Sequence, residues 1–259
     1  ARHYEVMIYA HYSRLLIEKE LFTNAIDVYR AYIHRHPMNL WAARFHIHII
    51  DTLDKANFRA SIYDEKVRFV QSFGLNTKFW HYHQGNPTEI PAYAVSDHLA
   101  FSRQYLEIFL IELADISYIK GQTAEKKLPK NAKVPSDEMK LHFAQASAYN
   151  RQFVDTFPEH ALNAKRLFLL AESEFKIHNW LNSIRAYEQV GYNYPDFPEA
   201  SEAAYAVIVA YTEFSKTWGF DEVFFTEIAV LTQKVKLTDP SVKVIKSILY
   251  YQVRPSQPL

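Results

Sequence analysis

Along most of the chain apolar residues recur at spacings of three and four, and few stretches alternate, so the pattern predicts helices nearly throughout. The opening "ARHYEVMIYAHYSRLLIEKELF" is amphipathic at once and predicts a first helix to about Phe22. "TNAIDVYRAYIHRHP" predicts a second, with Thr23 as N-cap and Pro37 as its end. Further helices are expected over 39–55, 57–73, 93–120, 136–157, 160–178, 181–193, 199–216, 221–237 and 240–251. Gly74 and Gly121 fall where a helix end calls for a left-handed residue. The eleven prolines lie at or between these boundaries.

Short helices joined by short turns invite a search for internal repeats. "AKRLFLLAESEF" (164–175) aligns with "AAYAVIVAYTEF" (203–214) at a fixed offset of 39, with Ala164/Ala203, Ala171/Ala210, Glu174/Glu213 and Phe175/Phe214 identical. "AIDVYRAYIHRHP" (25–37) parallels "SIRAYEQVGYNYP" (183–195): a small residue, an aromatic four later, and a proline eight beyond that.

This spacing resembles the tetratricopeptide repeat, whose first helix carries small residues where its partner packs closely. Its second helix starts small–x3–aromatic and ends at proline. Ser13, Ala25, Tyr29 and Pro37 fill those positions in one copy, and Ala171, Ser183, Tyr187 and Pro195 in another. Ala146 and Pro158 mark a third, with Tyr149 one residue early; Tyr63, 34 residues after Tyr29, marks a weak fourth. "FVDTFPEHALNAKRLFLLAESEF" followed by "YNYPDFPEASEAAYAVIVAY" looks like the repeats of bacterial cell-envelope proteins of the BamD/CpoB style. The lipidated N-terminal cysteine of the former is absent. The resemblance implies an all-α, helix-turn-helix solenoid of about ten or eleven helices with an enlarged, irregular middle repeat. On this reading 1–259 is one solenoid, with repeats over 1–75 and 141–216, an insert over 76–140 and capping helices over 217–252.

In the insert, "NTKFWHYHQGNPTEIPA" (76–92) breaks the periodicity, and "GQTAEKKLPKNAKVPS" (121–136) reads as a polar loop. That loop carries Lys126, Lys127, Lys130 and Lys133 against Glu125. It is expected to be a solvated insertion, or a contact for an acidic partner or phosphates.

Composition narrows the chemistry. The chain has 259 residues, with 29 basic and 29 acidic side chains in balance, so no global field draws in nucleic acid or an anionic membrane. There is no cysteine, hence no disulfide framework and no thiolate site. Residue 1 is not Met and no signal peptide is present, so the stretch is expected to be a mature form or part of a longer chain.

Three His-x-His pairs, His34/His36, His46/His48 and His81/His83, raise the question of metal. On a helix, residues two apart point about 200° apart, so the first two pairs cannot share an ion. His81/His83 falls in chain expected to be irregular, where the two can chelate with His98 approaching. Polar or interface histidines are the plainer expectation, and no metal or cofactor is assigned. No Gly-x-Ser-x-Gly elbow, phosphate-cradling loop or thiol nucleophile occurs, so no enzyme activity is expected.

If the repeat register holds, the concave face carries Met7, Ala10, Arg14 and Ile17 in the first copy. Lys165, Phe168 and Glu172, then Val207 and Tyr211, follow in the later ones. No repeated Lys/Asn set occurs there, so the family's clamp on C-terminal carboxylates is not reproduced. The expected function is a protein-interaction scaffold in a periplasmic or outer-membrane-associated complex, with protein partners, no nucleic acid and no membrane span. The alternatives are a repeat segment of a larger assembly elsewhere, or a helical metal or small-molecule binder.

Overall fold

A computed structural model describes residues 3–85, 92–129, 132 and 134–217. All regular structure among them is helical: α1 (His3–Glu18), α2 (Phe22–Arg35), α3 (Leu40–Lys55), α4 (Arg59–Phe73), α5 (Lys78–Gly85), α6 (Ala92–Lys126), α7 (Asp137–Thr156), α8 (Asn163–Lys176), α9 (Trp180–Asn193) and α10 (Ala200–Thr217). The helices expected over 221–237 and 240–251 lie outside the described residues. The chain divides into two compact units, Ala1–Leu113 and Ala114–Leu259, the division falling inside α6. In the first unit α2 packs on α1 and α3, and α4 on α3. In the second, α8 packs on α7, α9 on α8 and α10 on α9.

The turns disclose the repeat more sharply than the side chains do. α1, α3 and α8 each end in a Schellman motif whose left-handed residue is not glycine: Glu20 (φ 59), Asn57 (φ 58) and His178 (φ 64). In each, the amide of the next residue reaches back five positions: Leu21 N to Leu16 O, Phe58 N to Leu53 O and Asn179 N to Glu174 O. The following helix starts immediately, so the three pairs are joined by one and the same turn. A side chain with φ > 0 costs about 1–2 kcal/mol relative to the right-handed region. Part of that gain is offset because glycine raises the conformational entropy of the unfolded chain. Glu20→Gly is therefore expected to stabilise the chain by about 1 kcal/mol, read as a rise in the urea midpoint; a fall would refute the turn assignment.

Glu20 and Asn57 stand 37 residues apart, as do Phe157 and Tyr194, which cap α7 and α9, while His36 and Gly74, which cap α2 and α4, stand 38 apart, so the period is 37–38 residues. The typical tetratricopeptide unit is about 34. The register confirms that Ser13, Ala25 and Tyr29 match Ala171, Ser183 and Tyr187, since all six are buried where a first helix meets its second. Ser183 Oγ donates to Ala171 O at 3.0 Å, showing how close the two backbones come. Other sequence matches shift. Asn150, fully buried, stands where Tyr149 was expected, and Lys66, not Tyr63, is the mate of Tyr29. The 39-residue alignment is two residues out of register: Phe157 and Tyr194 cap α7 and α9, and α8 and α10 each begin six residues later.

Several local expectations are corrected. The N-cap of α2 is Leu21, not Thr23. Residues 78–85, read as irregular, form α5, tied down by the buried Phe79 and Trp80. Gly74 is extended (φ −64, ψ 154), not left-handed. Gly121 lies inside α6, which runs on to Lys126; a Cβ there would come within 2.9 Å of the Phe143 ring, so the glycine permits close approach of α7. Ser136 starts α7 by accepting from Met139 N at 3.2 Å.

Candidate functional site

A depression of about 640 Å³ opens on the first unit between α1 and α3. Met7, Ala10, Arg14 and Ile17, the four α1 residues placed on the concave face from sequence, all line it. Its floor is Val6 and Tyr29, which belong to the core of the unit, with Trp41 packed against them. Around the rim Arg14 donates to His11 Nδ1 at 2.9 Å and approaches Glu18 at 3.8 Å. Across from it His48 and Asp51 pair at 3.8 Å, and Lys55 has no ion pair among the described residues. Met7 is 64% exposed. The sequence reading missed the α3 wall, yet the period finds it: His48 and Asp51 stand 37 residues after His11 and Arg14.

In the second unit the same register places Lys165, Phe168 and Glu172 on the corresponding face of α8. Lys165 is exposed, while Phe168 is half-buried against Tyr187 and Phe197 at 5.9 and 6.1 Å between ring centres. Glu172 accepts from the Tyr187 hydroxyl; burial, then the Glu172 charge, push that phenol up. Val207 and Tyr211, expected on the face, fall two residues out of the 37-residue register. Val207 is buried in the core and Tyr211 packs against it, a consequence of the two-residue error in the alignment. Tyr205 and Val209 occupy the positions instead, and Tyr205 is exposed.

The lysine loop shrinks. Lys126 ends α6, and Lys127 pairs with Glu138 at 3.1 Å across the turn into α7; Lys130 and Lys133 lie outside the described residues. The described part thus makes an intramolecular bridge.

The paired histidines separate, His46/His48 and His81/His83 by their positions on α3 and α5, and His34/His36 because His36 lies past the end of α2 as its C-cap. His36 contacts Glu5 at 3.1 Å, while His34 is exposed. His46 turns inward and His48 outward on α3. His81 and His83 are on α5, not in irregular chain, and diverge: His81 bonds Thr77 O at 2.8 Å and His83 Nε2 donates to Met38 O at 2.8 Å. His98 Nδ1 accepts from Arg44 Nε at 3.0 Å, so that nitrogen is already engaged. Burial, then the Arg44 charge, push His98 down; burial pushes His83 down. Among the described residues no group of three or more His, Asp or Glu is placed to hold a metal ion.

The strongest electrostatic feature is structural. Glu65 on α4 is buried and gathers Arg30 from α2, Arg68 at 2.7 Å from its own helix, and His46 Nε2 at 3.0 Å from α3. Burial raises its pKa, but hydrogen bonds from His46 and Arg30 outweigh burial and hold it at about 2. Three helices are pinned at one carboxylate.

No helix among the described residues is long and apolar enough to cross a membrane. No protein-family model matches the chain, and no curated protein matches it.

Proposed function

We propose that this chain is a non-catalytic helical-repeat scaffold that binds protein segments within a multiprotein complex of the bacterial cell envelope. The observation that carries the reading is the α1–α3 depression. Apolar and charged side chains stay open to solvent there, over a floor packed as tightly as core. Such a surface suits an extended or helical segment, with apolar anchors on Met7 and Trp41 and charges answered by Arg14, Asp51 and Lys55. The pairs are read as tetratricopeptide-like units stacked into a solenoid, and the periplasmic or outer-membrane-associated placement rests on the resemblance of 153–175 and 192–211 to envelope repeats. Lys165, Phe168 and Glu172 are read as a second contact strip on their own unit.

In-cell cross-linking of tagged chain with mass spectrometry tests this. The expected result is one or two stoichiometric envelope proteins linked through the α1–α3 face. Met7→Glu/Arg14→Glu, both at exposed positions, should lower their recovery about tenfold. Full recovery with that variant would overturn the groove assignment, and absence of any stoichiometric partner would overturn the scaffold reading.

A further inference from the structure

Arginines drawn into the helical packing meet carboxylates. Arg166 grips Asp115 through both terminal nitrogens, at 2.5 and 3.3 Å, and Arg30 and Arg68 converge on Glu65. Arg44, half-buried on α3, pairs with no carboxylate among the described residues. It is nonetheless held. Its Nε donates to His98 Nδ1 on α6 at 3.0 Å, and its guanidinium carbon stands 4.1 Å from the centre of the Phe101 ring and 5.7 Å from that of Trp41. His98 is fixed in turn: its ring meets Trp41 edge-on at 5.0 Å, and it hydrogen-bonds the backbone of Leu40. Burial, then the Arg44 charge, favour the neutral imidazole, which is the form that can accept.

A guanidinium is a planar fork of N–H donors, and only the Nε arm is used here. The N–H groups left over, on Nη1 and Nη2, bond no described residue, and neither nitrogen is buried. Because Nε is pinned and the cation lies against rings, little side-chain freedom remains to be lost when an anion arrives. The other charged groups acting on His98 are Asp97 on α6 and His83 on α5, so no second permanent cation shares the spot. One fixed cation suits a planar monoanion; a phosphate would bring charge that nothing answers. Asp97 is exposed and forms no ion pair with Arg44.

We infer that Arg44 anchors a binding site for a small aromatic acid, whose carboxylate is taken by Nη1 and Nη2 beside the apolar surface of Trp41 and Phe101. His98 is the positioning residue: it touches no ligand and sets the direction of the fork. The aromatic body follows from the two flanking rings, which favour a weakly hydrated acid over a strongly hydrated one. Arg44 is not among the residues lining the α1–α3 depression, so this site and the scaffold reading can each fail without the other.

The probe is 4-fluorobenzoate, followed by fluorine NMR line width on titration with the full chain at constant ionic strength. Saturable broadening is expected, and none with 4-fluorobenzamide, its neutral isostere. Arg44→Lys keeps the charge and loses the fork, so it should weaken binding about tenfold. His98→Leu removes the acceptor and should weaken binding several-fold, while His98→Asn, whose Oδ1 can accept in place of Nδ1, should restore most of it. Circular dichroism checks that each variant keeps its helical content. No saturable binding, equal binding of the amide, or binding that survives Arg44→Lys overturns the inference. Equal binding by the two His98 variants overturns the positioning role. Binding that emerges only with Asp97→Asn overturns the site, since the chain would then fill Arg44 with its own carboxylate. Tighter binding of acetyl-Leu-Glu-Leu amide than of 4-fluorobenzoate, read by competition, overturns the small acid as ligand and returns Arg44 to a peptide surface.

Discussion

Phe45→Ala is expected to destabilise the first unit by about 4 kcal/mol, whereas Ile8→Ala, at the same position of the repeat, should cost about 0.5 kcal/mol or less. Phe45 is fully buried, with Tyr29, Tyr32, Trp41 and His48 around its ring. Truncation removes its transfer free energy and leaves a hole that two tyrosines from another helix cannot readily fill. Ile8 makes no comparable enclosure, because nothing among the described residues lies over it. Urea unfolding followed by far-ultraviolet circular dichroism compares the two. Equal, large costs would mean that α1 is already covered in solution. Equal, small costs would mean that α2 does not seal α3.

Glu65→Gln should cost about 3 kcal/mol near neutral pH, and the cost should vanish in acid. A carboxyl held near 2 in the folded protein, against an ordinary 4.5, is worth about 3 kcal/mol. Because the folded-state pKa lies below the unfolded one, this stability is fully present above about pH 4.5 and is lost as pH falls through 2. The substitution also leaves His46, Arg30 and Arg68 facing a neutral amide, of which His46 is buried and cannot turn to water. Urea midpoints from about pH 6 to about pH 2 should therefore converge for wild type and variant. Parallel curves would show that Glu65 titrates normally and that its partners do not hold it.

Much of the fold was legible because helix formation is written locally. The positions of α2, α3, α4, α7, α8 and α9 followed from apolar spacing and proline to within a few residues. α5 was missed because its eight residues span barely two turns, end in Gly85 and stand two residues before Pro87, too little to show a period. α6 was cut short because Gly121 reads as a terminator; only the closeness of Phe143 shows why a mid-helix position lacks a Cβ.

The candidate site was legible on one wall. Met7, Ala10, Arg14 and Ile17 emerged from the repeat register, but the α3 wall required the true period of 37. Matching side chains across α8 and α10 suggested 39, because alanines recur often enough on first helices to align by coincidence. The turns carry the register better: a left-handed residue followed by a fixed set of backbone hydrogen bonds occurs once per pair.

By itself the sequence determined where helices form, that their pairs repeat, and that vicinal histidines on one helix point apart. Those follow from a rise and twist that each residue shares with its neighbours. Only the tertiary structure decided which apolar stripe is core and which is surface. Ile8 and Phe45 are both large, apolar and at equivalent positions, and neither side chain encodes its burial. The difference is a helix, α2, that lies over one and not the other. Burial belongs to the neighbour as much as to the residue, and neighbours 37 residues away are chosen by packing.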